Sequence, residues 1–227
     1  MGDQTNTPEQ RVEVPGTPLF LERIDSVLTL SNGNMCFCAD FTQSLPRLRP
    51  DRLGRELLVK AARIKGLTGT PIAIDCTAGL GEDSLLLAAA GFEVTMFERD
   101  HVIAALLQDA LRRAADDEAL APILKRMHLH QDDSISGLAS LDFTPDVVFL
   151  DPMFPEKRKQ AATKKKFQLL HYLEQPCMEE EELLQAAINA GPRKVVIKRP
   201  LKGPYLADKQ PSHSIKGKAI RYDVIAL

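Results

Sequence analysis

The 227-residue chain lacks the segments that mark membrane or secreted proteins. No apolar run approaches the ~20 residues needed to span a bilayer. The first ten residues, MGDQTNTPEQ, lack the basic-then-apolar order of a signal peptide. Met1-Gly2 opens like a myristoylation site, but Asn6 stands where that motif needs Ser or Thr. These absences argue against a membrane partner and for the cytoplasm. Cysteine is scarce too. Cys36, Cys38, Cys76 and Cys177 form no Cys-x-x-Cys pair, so no metal site is expected, and the thiols read as reduced and partly buried. There is no Gly-x-Ser-x-Gly elbow, no Walker loop, no internal repeat and no extended low-complexity segment.

What is present is ordinary in composition, with 44% hydrophobic and 26% charged residues, and the length suits one α/β domain with an appendage. The net charge of −2 hides an asymmetry. Residues 1–151 carry 14 Lys+Arg against 23 Asp+Glu, whereas residues 152–227 carry 15 against 8. Polyanion binding follows local charge rather than the total, so the C-terminal third is the candidate nucleic-acid surface.

The chain divides into three parts. Residues 1–16 read as a flexible tail. Residues 17–49 read as a small N-terminal β subdomain, with extended runs at 19–21, 27–30 and 35–41 and a turn at Asn32-Gly33-Asn34. Residues 50–227 form the main domain. It opens with a helix predicted over 50–65, where apolar residues recur at 53, 57, 58, 61 and 64. Strands are then predicted at 71–76, 93–97, 128–130, 146–150, 194–198 and 221–226, with helices at 83–90, 101–115, 134–140 and 179–190. This alternation predicts an α/β, Rossmann-like fold with a mostly parallel sheet. Ligands in such folds sit at the carboxyl ends of the strands.

After the first of these strands comes Asp75-Cys-Thr-Ala-Gly79-Leu-Gly81-Glu82-Asp83. Gly79 and Gly81 allow a sharp turn and close backbone approach to a ligand. A dinucleotide fingerprint would place a third glycine at 84, where Ser84 stands. Asp75 beside a Gly-x-Gly turn suits a cationic amino-acid moiety better than a pyrophosphate. S-adenosylmethionine (SAM) carries such a group. The second strand ends at Glu98, 23 residues after Asp75, where a carboxylate accepts hydrogen bonds from a ribose diol, and Arg99 follows beside the nucleoside. After the third strand, Asp133 and Ser134 are placed to meet an adenine amino group. Ser134 reads equally as the N-cap of the next helix, and both readings can hold together.

The fourth strand runs into Asp151-Pro152-Met153-Phe154-Pro155. This resembles the [Asp/Asn]-Pro-Pro-[Tyr/Phe] signature of methyltransferases that modify exocyclic amino groups, with Met153 in place of the second proline. The nitrogen of such an amine has its lone pair delocalised into the ring. The Asp151 carboxylate and the Pro152 carbonyl, as acceptors for its two N–H groups, would aim that lone pair. Phe154 offers a stacking surface for a displaced base. Lys157, Arg158, Lys159, Lys164, Lys165 and Lys166 follow, six cations in ten residues beside the presumed catalytic loop. Lys198 and Arg199 add cations at the same sheet edge, and Arg47, Arg49, Arg52 and Arg55 are further candidates. All would meet phosphates.

Together these strings, with Phe97-Glu-Arg99, Val102 to Leu107 and Val195-Val-Ile-Lys-Arg-Pro200, resemble the bacterial ribosomal RNA small subunit methyltransferase J family over about residues 50–225. The resemblance implies a class I SAM-dependent methyltransferase with a seven-stranded-type sheet. It implies methylation of N2 of one guanine in 16S ribosomal RNA, with the RNA or the small ribosomal subunit as partner. By position, it implies cofactor contacts at Glu82, Asp83, Glu98, Arg99, Asp133, Ser134 and Asp151. Glu82 departs from the arginine that family usually has there. The residues themselves also admit another amino acceptor, such as other RNA, DNA adenine or a protein glutamine. A non-catalytic RNA-binding assembly factor is a third reading. The oligomeric state stays open.

Overall fold

A computed structural model describes residues 11–153, 169–170, 172–173 and 177–227. The chain starts with an antiparallel sheet in the order β1 (Arg11–Glu13), β2 (Phe20–Ile24), β3 (Val27–Ser31), β4 (Cys36–Phe37). Three short helices follow, α1 (Leu45–Leu48), α2 (Pro50–Leu53) and α3 (Leu57–Ala62). The main domain then alternates β5 (Ile72–Asp75), α4 (Glu82–Ala89), β6 (Glu93–Phe97), α5 (His101–Ala114), α6 (Ala121–Leu124), β7 (Met127–His130), α7 (Ser134–Ala139) and β8 (Val147–Leu150). It closes with α8 (Glu180–Asn189), β9 (Lys194–Pro200), β10 (His213–Lys216) and β11 (Ile220–Ala226).

The main sheet has the order β10-β11-β9-β8-β5-β6-β7. Strands β5 to β9 pair in parallel, and β11 inserts antiparallel between β9 and β10. From β5 the chain winds outward to β6 and β7, then returns to β8 on the other side of β5. The order therefore reverses between β5 and β8, and the crevice beyond their carboxyl ends is where such sheets bind ligands.

The central strands are apolar because both faces are covered. In β8, Val147, Val148, Phe149 and Leu150 are all fully buried. Successive side chains point to opposite faces. Val147 and Phe149 join Ala73, Leu85, Leu107 and Val196 in one core. Val148 and Leu150 join Ile74, Leu138, Leu184 and Ile197 in the other. The result is a sheet between two helical layers. Among the described residues, no helix is long and apolar enough to cross a membrane.

Three expectations are corrected. Arg11–Glu13, expected within the tail, is an edge strand whose three residues are exposed, so no apolar alternation signals it; the Arg11 guanidinium lies 3.6 Å from the centre of the Phe20 ring. The single helix expected over 50–65 is two pieces. Gly54 ends the first, and Glu56 takes an extended conformation (ψ 132°), with its carboxylate held by two hydrogen bonds from Arg47 at 3.0 and 2.9 Å. Of the extended run expected over 35–41, only Cys36–Phe37 pairs as a strand; Asp40 then caps a 3-10 turn at Phe41–Ser44.

The antiparallel sheet is fastened to α5. Asp109 on that helix accepts hydrogen bonds from Arg23 (3.1 Å), Arg112 (3.0 Å), Arg113 (2.7 Å) and the Leu28 backbone N–H (3.2 Å). Leu19 and Leu30 pack beside it against Val102 and Leu106. Burial raises the Asp109 pKa, but the arginine hydrogen bonds prevail and hold it at about 2.

Candidate active site

The β5–α4 turn is built from the inside. Asp75 is 1% exposed, and its carboxylate accepts from the Ser84 hydroxyl at 2.6 Å and the Thr77 N–H at 3.0 Å. Burial pushes its pKa up to about 7, against those two hydrogen bonds. Thr77 in turn accepts from the Asp151 N–H at 2.7 Å, which ties the end of β5 to the end of β8. Gly79 and Gly81 have φ of +54° and +75°. At Gly81 a Cβ would lie 2.7 Å from Leu107 Cδ1 and 3.2 Å from Phe41 Cζ. Both the conformation and the packing therefore require glycine there.

The turn forms one wall of a cavity of about 860 Å³ at the switch point, a volume suited to a small-molecule ligand. Glu98 enters from the end of β6. Its carboxylate accepts from the Gly79 N–H (2.8 Å) and the Asp100 N–H (2.9 Å), and burial raises its pKa. Asp100 caps α5, accepting from the N–H groups of Val102 and Ile103, so Glu98 is held between two fixed backbone segments. Asp133 caps α7 by accepting from Ile135 and Ser136. The N-cap is therefore Asp133, and Ser134, a candidate for that role on sequence, is the first helical residue and lines the cavity.

Asp151, Pro152 and Met153 close the cavity from the end of β8. Lys198 reaches in from β9, with its Nζ 2.6 Å from Asp83 Oδ2 and 2.8 Å from Asp151 Oδ2. Burial raises the Asp151 pKa and the Lys198 ammonium opposes it; the two carboxylates outweigh desolvation and raise the Lys198 pKa.

The structure thus brings Gly79, Glu82, Asp83, Glu98, Arg99, Asp133, Ser134, Asp151 and Pro152 around one cavity. Asp75 and Gly81 lie behind its wall, where they shape the turn rather than face a ligand. Phe154 and the cationic run at 157–166 fall outside the described residues. The surface role expected for Lys198 and Arg199 is corrected. Strand β9, predicted to stop at 198, runs through Pro200, so both residues belong to a covered sheet and both border the cavity. Lys198 enters the cavity. Arg199 is 1% exposed and donates to Glu180 at 3.3 Å and to the Pro204 carbonyl at 3.2 Å. Arg47 is engaged by Glu56, whereas Arg49, Arg52 and Arg55 remain exposed. Sequence reasoning missed Thr77 and the inner role of Lys198. The cue for Lys198 is its place at the carboxyl end of the apolar run Val195-Val196-Ile197, at the ligand edge.

The fit to SAM rests on this donor set. Eight acidic side chains line the cavity against three Lys or Arg, which suits a cationic ligand and disfavours a pyrophosphate. Glu98 retains acceptor capacity for a diol, and the Gly79–Gly81 turn leaves backbone open to close approach.

Comparison with known proteins agrees. A family model of SAM-dependent methyltransferases matches residues 17–226. The ribosomal RNA small subunit methyltransferase J of Thioalkalivibrio sulfidiphilus is 40% identical over 93% of this chain and 86% of its own length. The proteins of that name from Neisseria gonorrhoeae and Chromobacterium violaceum are 37% and 41% identical over 96% and 91% of this chain, and over 85% and 81% of their own lengths. The crystal structure of a SAM-dependent methyltransferase from Neisseria gonorrhoeae superposes with a TM-score of 0.71 at 32% identity, covering 88% of this chain and 79% of that one. An rRNA methyltransferase from Streptomyces viridochromogenes (TM-score 0.50, 16% identity, 78% of this chain and 84% of that one) shares the fold alone. With the switch-point cavity, its acidic lining and Asp151-Pro152 at the end of β8, these matches mean that the chain belongs to the ribosomal RNA small subunit methyltransferase J family of SAM-dependent enzymes.

Proposed function

We propose that this enzyme methylates the exocyclic N2 amino group of a guanine in 16S ribosomal RNA, in the cytoplasm. The observation that carries the reading is the position of Asp151 and Pro152. They lie in the same cavity as Glu98, Asp133 and the Gly79–Gly81 turn, so the acceptor group and the cofactor share one space.

Glu82, Asp83, Glu98, Arg99, Asp133 and Ser134 hold SAM, which supplies a methyl group activated by its sulfonium. Asp151 accepts one N–H of the guanine amine through its carboxylate, and the Pro152 carbonyl accepts the other. This fixes the direction of the nitrogen lone pair, which is the main barrier for a delocalised amine. The ion pair with Lys198 makes Asp151 an orienting acceptor rather than a strong base, so the proton leaves the nitrogen for solvent as or after the nitrogen–carbon bond replaces the methyl–sulfur bond, whose electron pair stays with the departing sulfur. Phe154 stacks on the base, and Lys157 to Lys166 hold the flanking phosphates.

Asp151→Ala is expected to abolish transfer, a fall of at least about 100-fold, with SAM still bound in a titration. Labelled methyl transfer to RNA, DNA and protein acceptors compares the alternatives. Near-normal activity of the variant would refute the role of Asp151, and labelling of DNA or protein alone would move the substrate class.

A further inference from the structure

We infer that Lys198 is a positioning residue for the methyl acceptor. It bridges Asp83 and Asp151, so that Asp151 presents one ionised oxygen to the incoming amine. This rests on the proposed role of Asp151 as the acceptor of an N–H group.

The geometry carries the inference. Lys198 Nζ contacts one oxygen of each carboxylate, Asp83 Oδ2 at 2.6 Å and Asp151 Oδ2 at 2.8 Å. The Asp151 main chain is fixed independently, by its N–H donating to Thr77 Oγ1 at 2.7 Å. With Oδ2 engaged and the backbone fixed, Oδ1 is the Asp151 oxygen left to receive a substrate N–H among the described residues. A neutral carboxyl group would present a hydroxyl there, and would donate to the amine instead of accepting from it.

Two half-buried carboxylates close together disfavour charge on each other. The groups facing this pair come from every neighbouring element. Asp75 lies at the end of β5, Asp83 on α4, Tyr222 on β11 and Arg199 on β9, while Arg47 from α1 acts at longer range. Asp75 and Asp83 disfavour charge on Asp151. Among the described residues, Lys198 is the cation in direct contact with it, so removal of Lys198 leaves Asp151 facing the Asp83 carboxylate with no neutralising charge between them. Lys198 also separates the two ends of the site. Asp83 lies on the first turn of α4, beside the Gly79–Gly81 cofactor turn, and Asp151 lies at the acceptor end. One side chain therefore couples the cofactor wall to the acceptor wall.

The test is single-turnover methyl transfer to small-subunit RNA at saturating SAM, measured from pH 5.5 to 9.5. Wild type, Lys198→Met and Asp83→Asn are compared. An active, ionised Asp151 gives a rate that rises with pH through its pKa. Lys198→Met should shift that acid limb upward by at least about one pH unit. Its rate should fall most at the acid end of the range and recover at high pH, with SAM affinity in a separate titration changed less than about threefold. Asp83→Asn should shift the limb the other way, because it removes the competing negative charge. A Lys198→Met profile with the wild-type limb, or one depressed equally at every pH, would overturn the inference. If Lys198→Met does not fold, the Asp83→Asn limb decides alone, and an unmoved or raised limb overturns it. Wild type that labels no RNA, or an active Asp151→Ala, would instead sink the proposed function and this inference with it.

Discussion

Gly81 shows how much of this site one residue can decide. Its φ of +75° and the 2.7 Å approach of a Cβ to Leu107 both oppose any side chain. Gly81→Ala should cost about 1–2 kcal/mol for the left-handed backbone and a further ~1–3 kcal/mol for overpacking. Denaturant unfolding reads the stability loss, and calorimetry should show SAM affinity down at least about 10-fold. A variant with wild-type stability and affinity would mean that the turn relaxes freely. At this scale the sequence is legible where a residue type admits few roles. The glycines announce a turn, and Asp151-Pro152 announces an amine acceptor. Asp75 is legible as important but not in its direction. Its carboxylate turns inward to Ser84 and Thr77, and only the three-dimensional turn reveals those partners.

Among the elements, α5 explains why the N-terminal sheet stays with the main domain. Asp109 gathers Arg23 from β2, Arg112 and Arg113 from its own helix and the Leu28 N–H from β3. Its pKa is lowered in the fold to about 2, from the ordinary 3.8. The ionised form is thus favoured by folding, and the contribution is present above about pH 4 and is lost as the pH falls through about 2. Asp109→Asn should destabilise the protein at pH 7 by about 2 kcal/mol at most, since Arg23 and Arg112 are partly solvated. The gap to wild type should narrow markedly by about pH 2.5 and close below about pH 2 in unfolding measurements; an equal gap at pH 7 and at the acid end would contradict the ion-pair account. The same elements mark the limit of sequence reading. The apolar run in β9 signals the strand but not its last two residues, because Lys198 and Arg199 look like a loop's cations. Strand β11 on one side and β8 on the other extend the pairing of β9, with β11 carrying it through to Pro200, and that tertiary context turns two apparent surface charges inward.

For the whole molecule, the alternation of strands and helices makes the α/β class legible, because both periodicities persist over long segments. The hairpin of β10 and β11 is only half visible, since β10 has exposed residues at both ends and little apolar pattern. The charge asymmetry also belongs to this scale. The acidic N-terminal two-thirds supplies most of the cavity's carboxylates, and the basic C-terminal third begins just after Asp151. Replacing Lys157, Arg158, Lys159, Lys164, Lys165 and Lys166 with glutamine should weaken RNA binding about uniformly across sequences. It should also flatten the dependence of log K on log salt by about 0.7–0.9 for each phosphate that the run neutralises. Binding isotherms at several salt concentrations check this; an unchanged slope would remove that run from the RNA interface.

The most direct test of the central claim is transfer of a labelled methyl group from SAM to small ribosomal subunits, or their 16S RNA, from cells lacking the enzyme. Asp151→Ala serves as the control. The account predicts label at N2 of a guanine with the wild-type protein and none with the variant. SAM bound by the wild type with no RNA labelled, or equal labelling by both proteins, would contradict it.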